Sequence, residues 1–154
     1  MPRAAPWFAA AAVIVLADQL VKWVALSQLR PGEPVAITSF FNLVLVFNRG
    51  AAFSFLANAP GWQQPFFVAV ALTAAVIVSW MLWRYPARRL LCAGLALILG
   101  GALGNLLDRV AYGHVVDFLD FHAMGWHWPA FNIADSAISV GAGILIAEGF
   151  MRKD

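Results

Sequence analysis

Apolar residues in this chain come in long unbroken blocks, not in the short alternations or two-sided helical patterns of a water-soluble fold. Four blocks, at residues 7–27, 65–83, 90–107 and 133–151, are each close to the length needed to cross a bilayer. A hydrocarbon core of about 30 Å takes about 20 residues of helix at a rise of about 1.5 Å per residue. Turn residues or charges bound each block: Arg30-Pro31-Gly32, Arg84-Tyr85-Pro86, Asp108-Arg109 and Arg152-Lys153. The second block contains no charge, whereas the first is interrupted by Asp18 and Lys22. The third (Gly94, Gly100, Gly101, Ala102, Gly104) and the fourth (Gly141, Gly143) are rich in small residues. Such residues let helix backbones approach closely where lipid removes the hydrophobic drive for association. The first block is read as a retained span, since it runs on into Gln19-Leu20-Val21 and shows no small-x-small site followed by a polar start.

The links carry their own pattern. Residues 34–47 (PVAITSFFNLVLVF) mix alternation with β-branched and aromatic side chains, which predicts strands, and Asn48-Arg49-Gly50 supplies a turn. The expected β insertion covers about residues 33–57. Phe118, Phe121, Trp126 and Trp128 give the link at about 108–132 the composition of an interfacial aromatic belt. Arg84, Arg88 and Arg89 crowd the link between spans two and three, Arg3 precedes the first span and Arg152-Lys153 follow the last. Short cytoplasmic loops retain Lys and Arg, so both termini and this middle link are expected inside, with the other two links facing out. Arg30, Arg49 and Arg109 lie on the outward side against that trend. The predicted fold class is an all-α integral membrane protein, a single membrane domain over residues 1–154, with a small outward β-sheet after helix 1.

Composition strengthens this picture. Of 154 residues, 62% are hydrophobic and 12% charged, against about 45–50% and about 25% in soluble domains. Seven Trp and twelve Phe exclude a disordered chain, and a net charge of +2 is too small to imply nucleic acid as a partner. Cys92 is the single cysteine, so no internal disulfide can form, and it lies in an apolar run.

Ionisable groups at membrane depth are costly and mark candidate functional sites. Asp18 and Lys22, four apart, share a helix face and can pair. Asp108 and Arg109 close the third span, Asp117 and Asp120 follow in the outward link, and Asp135 occupies the first turn of the fourth span. These groups are expected to gather at one outward level from separate chain segments, joined by Asn48, Asn105 and Asn132. Asn132 is placed to cap the fourth helix. Asp117 has no capping role to explain it. Two neighbouring carboxyl groups cannot both ionise easily, so one keeps a proton while the other activates water against a peptide carbonyl, which is aspartic peptidase chemistry. Asp117 and Asp135 are the chosen pair. His114, His122 and His127 with Asp117 and Asp120 crowd one stretch, but no His-Glu-x-x-His motif occurs, and neither metal nor cofactor is expected. The rival class is a small ion or proton transporter with Asp18, Lys22 and Asp135 as a relay.

The chain resembles the bacterial lipoprotein signal peptidases (signal peptidase II) in five segments taken in order. They are Asp18-Gln19-Leu20-Val21-Lys22, Asn48-Arg49-Gly50-Ala51-Ala52-Phe53-Ser54, Gly100-Gly101-Ala102-Leu103-Gly104-Asn105-Leu106-Leu107-Asp108-Arg109, Val115-Val116-Asp117-Phe118 and Phe131-Asn132-Ile133-Ala134-Asp135-Ser136-Ala137-Ile138. The resemblance implies a four-span aspartic endopeptidase of the bacterial inner membrane, with both termini cytoplasmic and its active site near the periplasmic face. Such an enzyme removes the signal peptide from a diacylglyceryl-modified prolipoprotein, cutting just before the lipidated cysteine, and is inhibited by globomycin. The resemblance further implies Asp117 and Asp135 as the catalytic dyad. Asn48, Gly50, Asn105, Asp108, Arg109, Asn132 and Ala134 would bind substrate or support the site, Asp18 and Lys22 would orient it, and the outward strands would form a periplasmic cradle. Membrane lipid is the remaining expected partner.

Overall fold

In the computed structural model, residues 3–50 and 61–151 are described. The expected continuation of the β insertion over residues 51–57, the segment Ala51-Ala52-Phe53-Ser54 and the closing Arg152-Lys153 lie outside the described residues. Four helices are long and apolar enough to cross a bilayer: α1 (Ala5–Gln28), α2 (Gln63–Arg84), α3 (Arg89–Tyr112) and α4 (Ile133–Met151). All four expected spans are present. The largest difference is at the end of α3, which continues past Asp108-Arg109 and stops only at Gly113. There a left-handed φ of 73° lets the Gly113 N–H donate to the Arg109 carbonyl at 3.0 Å.

Small residues decide where the helices meet. α3 packs against each of the other three. A Cβ placed on Gly94 would lie 2.9 Å from the Gly141 carbonyl oxygen, and one on Gly101 would lie 2.4 Å from that of Ala134, so α3 and α4 run nearly backbone to backbone. On α1, Ala11, Asp18, Lys22 and Ala25 form the buried face, while Leu16, Leu20 and Trp23 are left for lipid. The buried apolar residues of α2, Val78 and Leu82, lie in its second half, where they join Leu91, Cys92, Leu95 and Leu99 in the core. Nearer its start α2 diverges from the bundle.

The sheet differs from the expectation. It has four antiparallel strands in the order β1 (Val35–Thr38), β2 (Phe41–Asn48), β3 (Val115–Ala123), β4 (Trp126–His127), so only half of it follows helix 1. The stretch read as an aromatic belt supplies β3 and β4, because Val115-Val116-Asp117-Phe118-Leu119-Asp120-Phe121 is extended and pairs with β2. Asn42 faces Asp120, Val46 faces Asp117 and Asn48 faces Val115, with a bulge between Leu43 and Val46. Phe118 is accordingly a core residue at 3% exposure, whereas Trp126 and Trp128 are exposed as a belt requires. The β1–β2 hairpin turns at Ser39-Phe40. Asn48-Arg49-Gly50 instead closes β2, with the Gly50 N–H donating to Asn48 Oδ1 at 2.9 Å. By chain connectivity the sheet sits at the end of the bundle where α1 and α3 finish and α2 and α4 begin. The opposite end holds the α2–α3 link, pinned by an Arg88–Glu148 ion pair.

Candidate active site

Asn132 organises the site from the residue before α4. Its Oδ1 accepts the Asp135 N–H at 2.9 Å, and its own N–H donates to Asp135 Oδ2 at 3.3 Å, the reciprocal pattern of a capping box. The expected cap is therefore present, but the side chain does more. Its Nδ2 lies 2.7 Å from Asp117 Oδ1, 3.1 Å from Asn105 Oδ1 and 3.2 Å from the Val116 carbonyl. Asn105 Nδ2 in turn donates to Asp135 Oδ1 at 2.8 Å, and Asn48 Nδ2 donates to Asp117 Oδ2 at 3.2 Å. One strand residue and one helix residue, far apart in sequence, are thus tied to the same amide. Asp117 is 1% exposed. Burial, then the neighbouring Asp135 carboxylate, pushes its pKa up to about 7, against the opposing pull of Asn48, Asn132 and Lys22.

A fully paired ionic cluster underlies these acids. Lys22 Nζ lies 2.8 Å from Asp18 Oδ2, 2.8 Å from Asp108 Oδ2 and 3.1 Å from Asn105 Oδ1, which uses all the donors an ammonium has. The Asp18–Lys22 pairing expected from spacing is present, with Asp108 as an unforeseen third member. Each carboxylate also takes a backbone N–H: Asp18 Oδ1 accepts that of Ala134 at 2.9 Å, and Asp108 Oδ2 accepts that of Val116 at 3.0 Å. Ala134 precedes Asp135 and Val116 precedes Asp117. The residue before each acid is therefore held by a carboxylate that itself rests on Lys22. Gly104 makes room for this arrangement, since a Cβ there would lie 2.7 Å from Asp18 Oδ2. Gln19, which sequence reasoning passed over, donates to Asp108 Oδ1 at 2.9 Å and to the Gly104 carbonyl at 3.1 Å. Its signal was a carboxamide in an apolar span, beside Asp18.

Where α2 diverges, a cavity of about 600 Å³ opens between α2, α3 and α4. Asn48, Asn105, Arg109 and Asp135 line its polar end, and Val70, Ala74, Ile98 and Ile138 are among its apolar walls. Arg109 Nη2 donates to the Gly50 carbonyl at 2.8 Å, and the guanidinium lies 5.1 Å from the centre of the Phe67 ring. Its buried Nε has no hydrogen-bond partner among the described residues. Phe67 is, after Gln19, a second residue that sequence reasoning passed over, one that nothing in its apolar block singles out.

Asp120 does not join the group. Three residues from Asp117 on one strand, it points to the opposite face of the sheet, where it accepts from Asn42 Nδ2 and contacts His127 Nδ1, both at 2.9 Å. His114 packs instead against Phe47 and Tyr112. Among the described residues no three His, Cys, Asp or Glu side chains converge as metal ligands.

A family model described as Signal peptidase (SPase) II matches residues 10–151. The chain belongs to the signal peptidase II family. It is 54% identical over 148 residues to a lipoprotein signal peptidase of Paraburkholderia phytofirmans, covering 96% of this chain and 86% of that one. With one from Janthinobacterium sp. (strain Marseille) it shares 56% over 147 residues, covering 96% and 89%. A solved bacterial membrane enzyme superposes with a TM-score of 0.87 at 26% identity, over 97% of this chain and 90% of that one. A second superposes at 0.82 and 28% identity, over 97% and 94%. This signal peptidase II family member is thus a multi-span membrane peptidase, and the transporter alternative finds no support. Asp18 and Lys22 have close structural partners in the ionic cluster.

Proposed function

We propose that Asp117 and Asp135 form the catalytic dyad of an aspartic endopeptidase that removes the signal peptide from diacylglyceryl-modified prolipoproteins, cutting on the N-terminal side of the lipidated cysteine. The observation that carries this reading is the tethering of two carboxyl groups to one asparagine, one of them, Asp135, lining the polar end of a cavity that opens between α2 and α4. A signal peptide is itself an apolar helix, so it enters that gap sideways from lipid, and its scissile bond stops at the polar end. The acyl chains stay in hydrocarbon, where each buried CH₂ contributes about 0.8 kcal/mol.

The two acids share one proton. The ionised carboxylate takes a proton from water as the oxygen attacks the scissile carbonyl, and the protonated carboxyl gives its proton to the developing oxyanion; as the C–N bond breaks, the first carboxyl passes the water-derived proton to the departing amine and the second regains its own from the diol oxygen. Arg109, whose Nε has no hydrogen-bond partner among the described residues, offers a donor to a substrate carbonyl, and Asn48 with Gly50 frames the same edge. Asp108, Asn132, Ala134, Asp18 and Lys22 hold the dyad in place from behind, and Asn105 does so from the cavity wall. Globomycin-type inhibitors would compete for the same cavity.

Arg84, Arg88 and Arg89 lie at the end of the bundle opposite the sheet, which supports cytoplasmic termini and a site near the periplasmic face of the inner membrane. The test is a gel-shift cleavage assay on lipidated and unlipidated versions of one prolipoprotein. Wild-type enzyme should cut only the lipidated form, and Asp117→Asn and Asp135→Asn should each be inactive while still accumulating in the membrane. Substantial turnover by either variant refutes the dyad.

A further inference from the structure

We infer that the outward face of the sheet carries a second substrate subsite, which takes the first few residues of the mature prolipoprotein, downstream of the cleaved bond. This rests on the peptidase reading of the main cavity, but not on which carboxyl group holds the proton. Trp128, Pro129 and Ala130 line the main cavity and also a second one of about 390 Å³. The second cavity is thus separated from the site by a single stretch of chain. Its remaining wall comes from β2 and from the Gly32-Glu33-Pro34 link, and its polar part is Asn42, Asp120 and His127.

The substrate's own chemistry selects this face. The signal peptide has the helical gap and the acyl chains have lipid, whereas the mature chain is a hydrophilic polypeptide fixed to the same cysteine. It cannot follow either into hydrocarbon, because each unsatisfied backbone group there costs several kcal/mol. It must leave past the 128–130 stretch on the side away from the helices. An extended chain advances about 3.3 Å per residue, so a few residues fill a groove of this size.

The groove is also selective by charge. Glu33 and Asp120 line it, and among the described residues no Lys or Arg does. Burial pushes the Asp120 carboxyl up, but the bonds from His127 and Asn42 outweigh burial and hold it below the usual carboxylate range. Asp120 therefore stays negative at neutral pH, and Glu33 is exposed at the rim. A mature segment with lysine in its first positions is favoured there, and one with glutamate is disfavoured.

The experiment uses the full-length enzyme in lipid nanodiscs and three lipidated substrates that share a signal peptide and cysteine. Their four following residues are neutral, contain two lysines or contain two glutamates. In wild type, kcat/KM for the lysine substrate should exceed that for the glutamate substrate about threefold, the size of effect an exposed ion pair supports. The ratio should approach one in Glu33→Gln and invert in Glu33→Lys. A wild-type ratio of one, or a ratio unchanged in Glu33→Lys, overturns the subsite. So does a ratio that follows the anionic lipid content of the nanodisc and ignores residue 33, which would make the groove a headgroup site. Failure to cleave even the neutral substrate sinks the peptidase reading, and the subsite falls with it.

Discussion

Replacing Asp117 with Asn should abolish hydrolysis and yet make the folded protein harder to melt at pH 8. The Asp117 carboxyl is 1% exposed, and its pKa rises from an ordinary 3.8 to about 7 on folding. The folded state therefore binds more protons than the unfolded state between those two pH values. Stability that is fully present below about pH 4 is lost as pH rises through about 7, to the extent of about 4 kcal/mol, since each pKa unit is worth about 1.4 kcal/mol. Asparagine never ionises and escapes this loss. It keeps one acceptor where Asp117 uses two, for Asn132 and Asn48, which costs about 1 kcal/mol. The net gain at pH 8 is about 3 kcal/mol, or on the order of 10 °C in Tm for a chain of this length. At pH 4.5 most of the gain should vanish. Thermal unfolding of both proteins in one detergent at both pH values, alongside the cleavage assay, measures it. A Tm difference that is the same at pH 4.5 and pH 8 refutes the reasoning, whatever happens to activity.

Lys22→Met leaves Asp18 and Asp108 facing each other without their cation and should cost about 3–5 kcal/mol, seen as lower yield and Tm; adding Asp108→Asn should recover part of the loss. Gly104→Ala drives a methyl group to 2.7 Å from Asp18 Oδ2 and should cost about 1–3 kcal/mol. Because Asp18 also holds the Ala134 N–H, cleavage should fall in the protein that does fold, as kcat measured per folded molecule will show. Incubating the purified enzyme with a chelator and then assaying cleavage should leave the rate unchanged; a loss restored by zinc would return His114, His122 and His127 to consideration.

The parts of this structure that could be read from sequence are those governed by local rules. Block length alone locates α1 to α4, and Asn132 three residues before Asp135 announces a cap. β3 is hidden because Phe118 and Phe121 give its stretch the composition of an interfacial belt, and because its pairing is non-local: Asn42 and Asp120 are 78 residues apart. Without the strand, its faces could not be assigned, so Asp120 was grouped with residues on the other side of the sheet. Asp108 illustrates a different limit. It was expected near the site, but besides Lys22 and Gln19 it holds the Val116 backbone, and a main-chain N–H leaves no mark in sequence. The same holds for the Ala134 N–H that Asp18 accepts.

The choice of partners explains how two layers of acids can lie so close and behave differently. Asp18 and Asp108 touch the Lys22 ammonium directly. Among the described residues Asp117 accepts hydrogen bonds from neutral amides, those of Asn48 and Asn132. An amide satisfies an oxygen whose proton comes and goes, without contributing a full charge. Asn105 stands between the layers, its Oδ1 on Lys22 and its Nδ2 on Asp135. Lys22 fixes which way that amide points while its charge is kept one side chain away from the pair above. Direct contact between Lys22 and Asp117 would pull the Asp117 carboxyl down more strongly. With the buried cation at one remove, the lower layer sets geometry while Asp117 keeps its raised pKa.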